Sequence, residues 1–389
     1  MAGIGFELKK LFSQQGIILN VRANLYASIV VAGPMILGAI LLFGLRYIAI
    51  LANSSNHDQD VFIVTITYSI LFPLLLTSLV SFVLTRYVAD MLYEEQYDRI
   101  LPSMYGAISL CLILGAIGWS TFLVISNAPL ENNILSFLLF CVAVVVWIQM
   151  TYVGMAKDYI SILKGFGLGI LVSLLLDFVL VFGVQFNVVI SSLISAIIGY
   201  GTMMVSFTIV LHDYFPMGKG SSMKFMEWID KYPSLVFIGF FSMLGLFIHL
   251  LIMWASPWGE RVIGLFYQAP AHDLPALLAF LTTLVTTINF VTSVEVNFYP
   301  KYRLYFSLLN EGGSLGDINE AYKVMVSVLK QELFFLAQVQ LFVEVLVIVL
   351  AEVIIPPLGL GFKPTMISLF RVLCMGYGLF AIGNSMMLF

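Results

Sequence analysis

Ten apolar runs, each long enough to cross a bilayer, recur along the 389 residues, and the basic residues gather in alternate loops between them. A hydrocarbon core ~30 Å thick requires ~20 mostly apolar residues per helix. Spans are predicted near 25–52, 61–85, 103–126, 134–155, 160–183, 187–211, 233–255, 273–297, 333–355 and 365–388. Of the 18 Lys and Arg residues, 14 lie in the N-terminal stretch or in every second loop. They are Lys9, Lys10, Arg22, Arg86, Arg99, Lys157, Lys164, Lys219, Lys224, Lys231, Lys301, Arg303, Lys323 and Lys330. Arg261 and Lys363 occupy the other loops, and Arg46 and Arg371 fall within spans. Cations concentrate on the cytoplasmic side, so the alternation predicts a cytoplasmic N-terminus. The expected fold class is an all-α integral membrane protein with ten transmembrane helices.

Charged residues make up only 10% of the chain, against ~25% in a soluble domain. Cys111, Cys141 and Cys374 all fall in spans and are expected to pack, with no disulfide, metal site or cofactor indicated. The longest polar stretches, 212–232 and 298–332, are too short for a soluble domain. The expected organisation is a cytoplasmic amphipathic N-terminus (1–24), a first six-helix bundle (25–211), a cytoplasmic linker (212–232) and a second bundle (233–389). Within that second bundle, 298–332 is read as an amphipathic segment in which Asp317 and Glu320 have capping-box spacing. Residues 77–85 and 286–293 are both rich in Thr, Val and Phe, which suggests two related halves, as many transporters are built. The last apolar run reaches Phe389 with no charged flank, so two further helices are expected beyond it.

A charged group in the hydrocarbon costs several kcal/mol unless paired or hydrated, so such groups point to function. Arg46 in span 1, Asp177 in span 5, Glu344 in span 9 and Arg371 in span 10 are the candidates, with Glu295 nearer a membrane edge. Either they line a hydrated path for a polar substrate or an ion, or they form structural pairs such as Arg46 with Asp177 and Glu344 with Arg371. Span 8 gathers Thr283, Thr286, Thr287 and Asn289 over more than one face, as a cavity wall would. Pro34 and Pro73 interrupt spans 1 and 2 and are hinge candidates or static kinks. The alternating glycines of 164–169 lack a preceding strand and a Lys-Ser/Thr ending, so close helix packing explains them better than phosphate binding. No catalytic motif is present. His249 in span 7 is the one residue that an embedded transferase could use.

The N-terminal stretch 1–11, the span 8 stretch 286–303 and the segment 316–322 together resemble the PelG family, the inner-membrane transporter subunit of the Pel exopolysaccharide machinery. The resemblance implies the multidrug/oligosaccharidyl-lipid/polysaccharide flippase superfamily, with a twelve-helix, two-bundle fold around a central cavity. This chain would then lack the last two helices. It also implies transport of an amino-sugar polymer from cytoplasm to periplasm in the bacterial inner membrane. The implied partners are a cytoplasmic glycosyltransferase and the membrane subunits PelD and PelE, with no role for nucleic acid. It assigns no catalytic residues. Two other functions stay open: an ion-coupled small-molecule antiporter using Asp177 and Glu344, and a non-transporting scaffold that activates the glycosyltransferase.

Overall fold

The computed structural model describes residues 17–156, 158–218, 220–358 and 362–388, with side chains there except those of 17–32, Met35, Glu295, Leu358 and Leu388. Most of the expected amphipathic N-terminus lies outside the described residues. The helices are α1 (Ile17–Leu51), α2 (Asn56–Tyr93), α3 (Ile100–Ser126), α4 (Leu130–Met155), α5 (Tyr159–Phe178), α6 (Val188–Tyr214), α7 (Met226–Lys231) and α8 (Ser234–Ala255). A β-hairpin of β1 (Glu260–Ile263) and β2 (Phe266–Gln268) follows. Then come α9 (Pro270–Leu281), α10 (Thr283–Thr292), α11 (Tyr299–Asn310), α12 (Leu315–Ile354) and α13 (Pro364–Leu388).

Among the described residues, nine helices or helical rods are long and apolar enough to cross a membrane, and α1 contributes a shorter apolar stretch, Ile36–Leu51. The nine fall on nine of the ten expected runs, and Ile36–Leu51 falls within the remaining one, 25–52. α9, α10, a π-helical stretch at Ser293–Phe298 and α11 form a single rod over Pro270–Asn310. α1 runs on through Pro34 and α2 through Pro73, so neither proline ends its helix.

Two helices far exceed a bilayer's thickness. α2 has 38 residues and α12 has 40, about 57 and 60 Å of helix. α12 starts earlier than expected because Ser314 caps it: the Ser314 hydroxyl oxygen accepts from the Asp317 backbone N–H at 3.2 Å. The cap is therefore Ser314 with Asp317, one step before the expected Asp317 with Glu320.

By packing, the chain divides into one unit of Pro34–Ala269 and another of Met1–Gly33 with Pro270–Phe389. α8 lies along α2 and so packs within the first of these units. The linker is anchored there too. Phe215 and Phe225 are buried, and the Trp228 indole N–H donates to Asp90 Oδ2 at 2.8 Å. Arg86 holds the other Asp90 oxygen at 3.2 Å, and Trp228 packs edge-on to Tyr87 at 4.8 Å. The aromatic residues inside this polar stretch behave as anchors, and no sequence pattern of charge reveals that.

In the same unit, α5 and α6 approach closely at small residues. Gly165 faces Phe207, and Gly169 faces Met203 and the Gly199 carbonyl, whereas Gly167 meets open space. Without a hydrophobic drive between helices in lipid, such close contact supplies the packing energy. The hairpin closes one end of the unit over an aromatic cluster. Tyr68 stacks on Trp254 at 4.6 Å, and Trp119 stacks on Phe140 at 5.0 Å. The Tyr68 hydroxyl accepts from the Tyr267 N–H and donates to the Tyr267 carbonyl, each at 3.1 Å.

Candidate functional site

Within Pro270–Phe389, three side chains from two helices make one buried polar chain. The Thr286 hydroxyl of α10 donates to the Gln340 Oε1 of α12, and the Gln340 amide donates to Glu344 Oε1 at 2.8 Å. Thr286 and Gln340 are fully enclosed, and Glu344 is 7% exposed. Gln340 and Glu344 lie four residues apart and share a face of α12. The two neighbours also fix which way the amide points, oxygen toward the hydroxyl and nitrogen toward the carboxylate. Across from Glu344 stands Gly378 of α13, where any Cβ would overlap the carboxylate. α12 and α13 thus come together at the acid, and a side chain at 378 would have to displace the Glu344 carboxylate from this position.

The remaining residues of span 8 do less than their number suggests. Thr283 bonds the Phe280 carbonyl at 2.7 Å, Thr287 the Thr283 carbonyl at 3.0 Å, and the Asn289 amide the Val285 carbonyl at 2.7 Å. Each therefore satisfies itself on its own rod. Asn297, in the π-helical stretch, reaches Glu332 of α12 at 2.9 Å. Glu295 lies in that stretch, with its side chain outside the described ones. π-helical turns are frequent at functional sites.

Neither expected ion pair forms. Arg371 turns to Glu352 at 3.0 Å and donates to the Ile348 carbonyl at 3.1 Å, leaving Glu344 to Gln340. The reason is reach: Gln340 is one turn from Glu344 on the same helix. Arg46 is exposed on α1.

Asp177, in Pro34–Ala269, is fully buried on α5. Its Oδ1 accepts from the Ser192 hydroxyl of α6 at 3.3 Å, and its Oδ2 has no hydrogen-bond partner. The hydroxyls of Ser173, Ser191 and Ser195 are buried and equally unmatched. Ser173 precedes Asp177 by one turn, and Ser191, Ser192 and Ser195 fall within two turns of α6. A π-helical stretch, Val179–Gly183, begins two residues after the acid. A buried polar atom without a partner is costly, and a bound water, ion or proton is one way such a cost is met.

The whole chain, residues 1–389, matches the family model PelG, described as "Putative exopolysaccharide Exporter (EPS-E)". The chain belongs to the PelG family. No curated protein sequence matches it. Among solved structures, it is similar to the eukaryotic MATE transporter AtDTX14, with a TM-score of 0.57 and 12% identity over 93% of this chain and 83% of that one. It is also similar to the MATE transporter ClbM in complex with Rb+, with a TM-score of 0.51 and 14% identity over 93% and 84%. At such identities the likeness concerns the fold. The PelG-family protein is thus a multi-pass membrane transporter whose fold is like that of the MATE transporters. Gln340 and Gly378 escaped the sequence reading. An amide one turn before an intramembrane acid was the available signal for the first.

Proposed function

We propose that this PelG-family protein carries the Pel exopolysaccharide, an amino-sugar polymer, from cytoplasm to periplasm across the bacterial inner membrane. It does so by alternating access or as a conduit for the growing chain, with its N-terminus in the cytoplasm and without catalysing a reaction. The observation that carries this reading is the Thr286–Gln340–Glu344 chain inside a PelG-family fold. Glu344 is the one member of that chain with residual exposure, and its carboxylate, oriented by the enclosed Gln340 and Thr286, can accept from sugar hydroxyls and acetamido N–H groups. The carboxylate also suits the ammonium of an unacetylated amino sugar. A cytoplasmic glycosyltransferase would supply the polymer, with PelD and PelE as membrane partners.

The Asp177 cluster favours a second element, coupling to an ion. A proton or a hard monovalent cation at Asp177 would satisfy its unmatched Oδ2. ClbM, a fold neighbour, is described in complex with Rb+.

The test is polymer synthesis and export in inverted vesicles containing the protein, the glycosyltransferase, PelD and PelE. Polymer should reach the lumen with the unaltered protein and fail to do so with Glu344→Gln, while Arg371→Ala has the smaller effect. If synthesis needs the protein but both variants restore synthesis and export fully, the protein is a scaffold and the exporter reading is lost.

A further inference from the structure

α11 carries a row of exposed aromatic rings along one face. Tyr299, Tyr302, Phe306 and Leu309 follow at spacings of three, four and three residues, the spacing that keeps side chains on a single helical stripe. Tyr302 is 42% and Phe306 39% exposed. The rings form a ladder: Tyr299 and Tyr302 stack at 6.5 Å with planes 19° apart, and Tyr302 and Phe306 stand at 4.5 Å. Beside it, Tyr305 packs on Tyr322 of α12 at 5.7 Å, which ties the row to a second helix. Arg303 lies one turn from both Tyr299 and Phe306.

We propose that this row is a binding track for a stretch of the polysaccharide, engaged before the chain reaches Glu344. The inference rests on the exporter reading above and names where that substrate first docks. Three observations favour it. Pyranose rings present flat C–H faces that pack on aromatic rings, and a row of tyrosines joins such faces to hydroxyls that can bond the sugar's own. Successive rungs rise by about one helical turn, ~5.4 Å, a step close to the length of one hexose in an extended chain. Finally, α11 belongs to the same rod, Pro270–Asn310, that carries Thr286. Tyr302 lies 16 residues along it, roughly 24 Å from Thr286 if the rod is straight. By the loop-charge rule this end of the rod faces the cytoplasm, where the polymer is made. The competing occupant is lipid headgroup, since aromatic and basic residues also gather at membrane interfaces. A track three rungs long on the helix axis suits a linear polymer better.

The experiment uses the full chain in phosphatidylcholine nanodiscs and a fluorescein-labelled N-acetylgalactosamine hexasaccharide, with the monosaccharide as control. The expected result is tighter binding of the hexasaccharide than of the monosaccharide. The paired variant Tyr302→Ala with Phe306→Ala should bind it about tenfold more weakly. The pair Tyr302→Leu with Phe306→Leu, which keeps apolar bulk for folding but removes the flat faces, should lose the same amount. Tyr302→Phe with Phe306→Tyr should bind nearly as the unaltered protein does. Unchanged binding by the leucine pair overturns the proposal. So does a change confined to the variants' stability when anionic lipid replaces phosphatidylcholine, which would make the row a membrane belt. Parallel export in inverted vesicles separates the two readings. If the unaltered protein exports polymer and the leucine pair does so equally well, the track falls and the exporter stands. If the unaltered protein exports none, the exporter reading falls with it.

Discussion

Asp177 and Glu344 are both carboxylates buried in spanning helices, and the two packing units hold them by opposite means. Glu344 is fixed by a side-chain amide on its own helix, which is fixed in turn by a threonine on another, and glycine clears the space in front of it. Asp177 has one long bond to Ser192 and a second oxygen with no partner, and Ser173 one turn before it on α5 carries a hydroxyl in the same condition. A satisfied network holds a group in one position; an unsatisfied one stores free energy that a ligand can release. The first suits a group that must be presented reliably to a passing polymer. The second suits a site that fills and empties.

The comparison breaks most sharply at Gly378. Gly378→Leu would drive a branched side chain into a buried carboxylate, and a loss of about 3–5 kcal/mol is expected from overpacking and displaced charge. Thermal unfolding of the purified protein would show it, and an unchanged midpoint would mean that Glu344 does not stand against α13. Next is Gln340→Leu, which leaves Thr286 and Glu344 without their shared partner. A cost of about 1–3 kcal/mol is expected. In a double-mutant cycle with Glu344→Gln the two effects should be non-additive, and simple additivity would dissolve the network.

Asp177→Asn sharpens the contrast from the other side. It removes a buried charge that has little to lose, so stability should change by less than ~1 kcal/mol or rise. Dependence of export on a Na+ or proton gradient should disappear. A variant that still responds to the gradient would make Asp177 a structural residue. The most local effect, with export unchanged, is expected at Trp228→Phe, which keeps the ring against Tyr87 but loses the bond to Asp90. About 1 kcal/mol should be lost, read as faster protease cleavage within 212–232.

Much of this was legible in the chain because lipid permits few solutions. A spanning helix must satisfy its own backbone, so hydropathy alone located the nine long apolar helices. Glu344 and Asp177 stood out because charge in hydrocarbon is costly. Partner choice was not legible. Arg371 could reach Glu344 or Glu352 by sequence, and only the packing of α13 on α12 decides for Glu352. Span 8 threonines looked like a cavity wall, yet Thr283 and Thr287 bond the turn before them and only Thr286 reaches another helix. A hydroxyl's nearest carbonyl is always on its own helix, so composition overstates such clusters. The linker's burial was hidden for a different reason: Phe215, Phe225 and Trp228 are scattered among charges and form no periodic stripe.

The length of α12 has a mechanical consequence. It runs from Leu315 to Ile354 with no proline inside, so it behaves as a stiff lever with Glu344 well toward one end. The arm from Glu344 to Leu315 measures roughly 44 Å at helical rise, and a tilt of about 10° about the acid would sweep its tip by about 8 Å. α11 packs on that arm and would travel with it. A small rearrangement around one buried acid could thus be read as a large displacement far outside the membrane, and the reverse: a push on the tip would be geared down into a fine adjustment at the acid.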